Sequence, residues 1–198
     1  MDRADFIKQL IMWHDNDEHQ QVIDAIEKLP RDDWDFEISG LYARALNNLK
    51  RFQEALDALN MFQDEGREDG FWNFRVGYSL YYLNREMEAS EYFQRAIDFG
   101  DDGEDTRLLL KHSLFEANVK LLLTDEMALL ENGEQSIEKT REKFDEIMIE
   151  INNFRDKYFG NDSEMKIWVQ NMIRRRVIYL VDYFHLNIDC ETLLRKLD

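Results

Sequence analysis

Proline occurs once, at Pro30, and glycine only eight times in 198 residues, so long stretches run free of the two residues that interrupt helices. Cysteine also occurs once, at Cys190, which excludes an internal disulfide and a thiolate-rich metal site and fits a reducing compartment. No run of about 18 apolar residues exists, so no membrane-spanning helix and no membrane partner are predicted. The opening MDRADFIKQLIMWHD has too short and broken an apolar run for a secretory signal, and the expected location is cytoplasmic. Basic residues are scarce relative to acidic ones: the formal net charge is -17, with 23 acidic against 11 basic side chains in residues 1–103 and 19 against 14 in residues 104–198. Such a field repels phosphate backbones and argues against a nucleic-acid partner, whereas a basic partner would associate faster at low salt. The plainer reading of the charge is solubility. The chain also lacks a phosphate-cradling glycine loop, an HExxH and a GxSxG, so no enzyme and no cofactor are expected.

What the chain has is a period. Ala43, Leu46, Leu49, Ala55 and Leu59 are echoed 34 residues later by Gly77, Leu80, Leu83, Ala89 and Phe93. An earlier copy, Leu10, Trp13, Val22, Ile26 and Leu29, runs 33 residues ahead of Ala43, Leu46, Ala55, Leu59 and Phe62. A period of this length describes helical pairs that cannot bury their own apolar faces, so neighbours stack and share one core. The spacing predicts an all-α fold with paired helices over about 3–14 and 17–29, 35–49 and 52–64, and 71–84 and 86–99. Pro30, Gly66, Gly70, Gly100 and Gly103 mark the links. Another helix, about 104–118, follows the acidic cluster Asp101, Asp102, Glu104 and Asp105 and would begin a partial fourth unit.

The small residues at Ala43 with Ala55, and Gly77 with Ala89, together with the stretches YARALNNLKRFQEALDAL and GYSLYYLNREMEASEYFQRAI, resemble the tetratricopeptide repeat family. The resemblance covers about the first 118 residues and implies a short α-α superhelix of about three helix-turn-helix repeats. Ser39 and Asn73 stand where the family has an early Trp, and the closing proline is absent after the second and third copies.

The division expected is a repeat solenoid over 1–118 and a helical hairpin over 119–198. Within the latter, Asn132 and Gly133 are the clearest stop signal. Ile137, Phe144, Ile147, Ile151, Phe154 and Tyr158 define an amphipathic helix over about 135–158. Asn161 and Glu164 have the spacing of a capping box. A last helix, about 163–186, carries Ile167, Trp168, Met172, Ile173, Val177, Leu180, Val181 and Phe184. This hairpin would cap the solenoid or dimerise, leaving monomer and homodimer both open.

In the family that the first 118 residues resemble, the first helix of each unit lines the concave side. That places Ile7, Ile11 and His14, then Gly40, Arg44 and Asn47, then Phe74, Tyr78 and Tyr81 on one surface, with Asn48 and Tyr82 beside them. A fourth unit would add Leu108, His112 and Phe115. Tyr78, Tyr81 and Tyr82 with Phe71, Trp72 and Phe74 form the richest aromatic concentration, and tyrosine suits interfaces because it buries large area while keeping a polar tip. Arg44, Asn47 and Asn48 resemble the polar residues with which some members hold the backbone or terminal carboxylate of an extended peptide, Arg75 being a second basic candidate, although a well-defined carboxylate clamp has several basic residues converging from adjacent units. The partner-binding candidates are therefore Arg44, Asn47, Asn48, Phe74, Tyr78, Tyr81, Tyr82, His112 and Phe115.

Other clusters carry less. Arg174, Arg175 and Arg176 point in different directions on a helix and suit ion pairs with acidic neighbours. His14, Asp15, Asp17, Glu18 and His19 follow no metal-site spacing. Cys190 has no histidine near it in sequence other than His185 and is not read as a catalytic thiol. The reading is a non-catalytic scaffold or adaptor for a protein or peptide. The alternative is an acidic immunity or inhibitor protein that neutralises a basic toxin or nuclease, and it would bind with steep salt dependence.

Overall fold

A computed structural model describes residues 2–132, 136–160 and 162–183. All regular structure among them is helical. The helices are α1 (Arg3–Asp15), α2 (His19–Ile26), α3 (Phe36–Asn48), α4 (Phe52–Asn60), the short α5 (Gln63–Gly66), α6 (Gly70–Tyr82), α7 (Glu86–Asp98), α8 (Glu104–Glu131), α9 (Ile137–Phe159) and α10 (Ser163–Tyr183), with a 3-10 turn at Arg31–Asp33. The chain forms two compact units divided between Ser113 and Leu114, and α8 begins in the first and ends in the second. No helix among the described residues is long and apolar enough to cross a membrane.

In the first unit, α1 packs on α2, α3 on α4 and α6 on α7, and each pair touches the next through α2 with α3, α4 with α6, and α3 with α6. The repeat is written in the helix ends as well as in the core. Asp2, Asp35 and Asp69, spaced 33 and 34 apart, each accept a hydrogen bond from the backbone N–H three residues on, at 2.7–2.9 Å, and so cap α1, α3 and α6. At the other ends of these helices Asp17, Lys50 and Asn84 adopt positive φ. The N–H of the residue after each then reaches back to the carbonyls of Trp13, Leu46 and Leu80, which turns the chain sharply into the second helix of the pair.

The packing follows from small residues meeting large ones. Ala43, Ala55 and Ala89 are fully buried, and a Cβ on Gly77 would stand 3.0 Å from the Phe93 ring and 3.3 Å from the Ala89 carbonyl. That is why α6 and α7 approach so closely. Leu10, Val22, Ile26, Leu46, Leu59, Leu80 and Phe93 fill the shared core.

The structure corrects two helix ends. The pattern predicts one helix over 52–64, but α4 stops at Asn60 because its last carbonyls are taken by side chains from other helices. The Ser39 hydroxyl donates to Ala58 O at 2.7 Å, and the Trp72 indole donates to Leu59 O at 3.1 Å. Asn73, the counterpart of Ser39, instead donates at 2.8 Å to the carbonyl of Asp69, the cap of its own helix. In place of a helix ending near 118, α8 continues to Glu131, since residues 104–131 contain neither glycine nor proline.

The second unit buries Phe115, Val119, Leu123, Ile147, Met148, Ile151, Val169 and Ile173. Phe115, Phe159 and Trp168 form a ring triangle with centroids 5.5–6.0 Å apart. Helices α9 and α10 pack on each other, and Asp162 caps α10 by accepting from the N–H groups of Glu164 and Met165 at 2.9 and 3.1 Å. Asn161, assigned that role from spacing, lies outside the described residues, as do Phe184, His185 and Cys190. Arg176 pairs with Glu116 at 3.1 Å.

Candidate functional site

Helices α3 and α6 enclose a pocket of about 380 Å³ lined by Arg44, Asn47, Asn48, Phe71, Phe74, Arg75 and Tyr78. Its walls arise from helical spacing. Arg44, Asn47 and Asn48 occupy one stripe of α3, while Phe71, Phe74, Arg75 and Tyr78 recur at three- and four-residue steps on α6. Caps at the starts of both helices, Asp35 and Asp69, fix where these stripes begin.

Asn47 forms the buried floor. Its amide donates to the Arg75 carbonyl at 3.3 Å, and its oxygen accepts from the Ser79 hydroxyl at 2.9 Å. The Ser79 hydroxyl is also 2.9 Å from the Arg75 carbonyl. Asn47 is thus both a pocket residue and the tie between two helices, so its polar atoms are engaged before any ligand arrives.

Arginine chemistry distinguishes the site. Arg75 lies against Gly40, where an added Cβ would stand 3.0 Å from Nη1. Burial, and then the neighbouring charge of Arg44, hold the Arg75 guanidinium below its usual pKa, while Asp69 and Asp101 act in the opposite direction. Neither carboxylate closes an ion pair with it: Asp69 caps the Trp72 N–H at 2.7 Å, and Asp101 accepts from the Thr106 hydroxyl at 3.2 Å. Among the described residues no carboxylate lies within ion-pair distance of Arg44 or Arg75.

An aromatic ladder continues from the pocket. Phe74 and Tyr78 are 6.0 Å apart, Tyr78 and Tyr82 are 4.7 Å apart, and Tyr82 stacks on Phe52 at 4.8 Å with planes 10° apart. Tyr81 meets Tyr82 edge-on at 5.3 Å. Tyr82 remains 46% exposed and Phe71 63% exposed, whereas Tyr78 and Tyr81 are half-buried. Burial first, and then the Tyr82 hydroxyl, push the Tyr78 phenol up to about 12, so it stays a neutral donor at physiological pH.

Other sequence candidates lie elsewhere. His14 is buried, with Nε2 3.0 Å from the Leu41 carbonyl, and Ile7 belongs to the core. His112, on α8, is half-buried and absent from the pocket. Phe115 is fully enclosed in the second unit, where its ring supports Phe159 and Trp168, so it offers no surface to a partner. Gly40 and Phe71 become relevant through geometry: one makes room for Arg75, and the other supplies an exposed ring at the rim.

The sequence matches no protein-family model, and no curated protein matches it.

Proposed function

We propose that the chain is a non-catalytic interaction module, a short tetratricopeptide-like helical repeat that binds a peptide or protein segment at the α3/α6 pocket and along the adjoining ring ladder. The observation that carries this reading is the convergence of Arg44, Asn47, Asn48, Phe74 and Tyr78, separated by up to 34 residues, on one cavity beside exposed Phe71 and Tyr82. Rings with polar tips next to guanidinium groups that have no ion-pair partner among the described residues supply area and orientation together, the combination that recurs at binding hot spots. The reading includes a cytoplasmic setting, motivated by the single cysteine and the absence of a crossing helix among the described residues.

The test is comparative capture. Tagged native chain and the Tyr78→Ala/Tyr81→Ala double variant are used as bait in extracts of the source cells, with retained proteins identified and then titrated individually. The module reading expects a protein held by the native chain and released by the variant at unchanged helicity. Equal retention by both would remove the pocket and ladder from the account.

A further inference from the structure

Helices α1 and α2 meet at a turn through Asp17, which has His14 before it and His19 after it, their ring centroids 5.4 Å apart. The turn does not need histidine. The corresponding turns at Lys50 and Asn84 have the same positive φ and the same backbone hydrogen bond into the first helix, yet they carry Asn47 with Phe52 and Tyr81 with Glu86 at the equivalent positions. Both histidines are enclosed: His14 is 2% exposed and the His19 side chain 11%.

Their Nε2 atoms settle the tautomers. His14 Nε2 stands 3.0 Å from the Leu41 carbonyl, which can only accept, so that nitrogen carries the hydrogen. His19 Nε2 lies 3.5 Å from the Asp17 carboxylate, an acceptor that favours the hydrogen there too. Each ring is left with a bare lone pair on Nδ1, and both Nδ1 atoms are buried without a hydrogen-bond partner among the described residues. Folded chains seldom leave buried polar atoms so. An imidazole that gives its N–H to a carbonyl or carboxylate and keeps its other nitrogen bare is in the state in which histidine ligates a metal.

We propose that His14 Nδ1 and His19 Nδ1 together bind one cuprous ion. No group of three or more His, Cys, Asp or Glu side chains able to hold a metal occurs among the described residues, which leaves zinc short of the three or four protein ligands that it takes. A monovalent d10 ion is satisfied by two ligands in line, and imidazole is among those that copper accepts. Two metal–nitrogen bonds of about 2 Å each can be accommodated between rings whose centroids are 5.4 Å apart. One positive charge on two neutral ligands also costs less to enclose than two charges would. Asp15 and Asp17, both exposed beside the turn, raise the local concentration of cations without entering the enclosed ligand set. This site lies apart from the α3/α6 pocket and does not rest on the interaction-module reading.

The test uses the full chain carrying Cys190→Ser, which removes a competing thiol ligand. Under anaerobic conditions, cuprous ion is titrated in the presence of bicinchoninate, a coloured chelator of that ion. One equivalent per chain is expected to pass from the chelator to the protein and to raise the melting temperature by several degrees. His14→Gln and His19→Gln, each checked for native helicity by circular dichroism, should weaken binding at least a hundredfold. His19 lies at the edge of the packed region, so its variant keeps the test decisive if His14→Gln does not fold. With silver ion as a closed-shell stand-in, long-range proton–nitrogen spectra should show the Nδ1 resonances of His14 and His19 shifting while both Nε2 atoms stay protonated.

Failure to withdraw copper from the chelator or unchanged affinity in His19→Gln would overturn the assignment. So would silver-induced shifts at His112 or His185 in place of His14 and His19, or tighter binding of zinc than of the cuprous ion.

Discussion

Asn47 and Ser79 share a buried hydrogen bond of 2.9 Å that ties α3 to α6 beneath the pocket. The same amide donates to the Arg75 carbonyl, so one side chain fixes the interhelical spacing and the position of a pocket cation together. Asn47→Ala should therefore lower unfolding free energy by about 1–2 kcal/mol, the cost of leaving buried polar groups with fewer partners. Urea titration followed by circular dichroism reads this as a lower midpoint. A midpoint equal to that of the native chain would show that the tie contributes nothing.

Histidine burial makes stability depend on pH. Desolvation lowers the His14 pKa to about 4, against a raising contribution from its Leu41 carbonyl bond and lesser lowering by Arg44, His19 and Arg75. His112 is also lowered to about 4, by desolvation. Both are neutral in either state above about 6.5, so their contribution is fully present there. As pH falls from about 6.5 towards 4, the unfolded chain takes up protons that the folded chain refuses, and each histidine costs about 1.4 kcal/mol per pH unit until the folded groups also protonate. Denaturant midpoints at pH 7.5 and 5 should differ in the native chain. His14→Gln should reduce that difference by roughly half, whereas an unaltered pH slope would contradict the assignment to His14.

Lys50 and Asn84 occupy left-handed backbone at φ 61° and 59°, a conformation in which glycine carries no Cβ penalty. Lys50→Gly should raise stability by about 0.5–1 kcal/mol, the steric relief exceeding the extra freedom gained by the unfolded chain. Thermal melts of the single variant decide the sign. A lower melting temperature would mean that the lysine side chain contributes more than the strain costs.

The repeated surface pairs Arg51–Glu54 and Arg85–Glu88, each at 2.6 Å, have the same geometry 34 residues apart. Exposed pairs of this kind contribute little because water screens them and ordering two long side chains costs entropy. Arg85→Ala should shift stability by no more than about 0.5 kcal/mol, measured in the same urea titration. A larger loss would show that the pair helps close the turn between α6 and α7.

Much of the fold was legible because the repeat rests on local size and periodicity. Ala43, Ala55, Gly77 and Ala89 are spaced by the geometry of paired helices, and the apolar residues 33 or 34 apart follow from it. The capping aspartates Asp2, Asp35 and Asp69 have the same period in the sequence, but attention to apolar positions passes over them. The early end of α4 was not legible, because Ser39 and Trp72 reach its carbonyls from other helices. At the pocket, helical spacing puts Arg44 with Asn47 and Phe74 with Tyr78. The contact of Arg75 with Gly40, and the lack of a carboxylate within ion-pair distance of Arg44 among the described residues, depend on tertiary placement. Phe115 shows the limit of extending a period: the 34-residue step continues into α8, yet its ring belongs to a different core.

Amide chemical-shift mapping of the labelled full chain with the partner recovered by capture tests the binding surface most directly. The account predicts that the largest changes fall on Arg44, Asn47, Asn48, Phe71, Phe74, Arg75 and Tyr78, with smaller ones at Tyr81 and Tyr82. Changes confined to α9 and α10, with α3 and α6 silent, would contradict it.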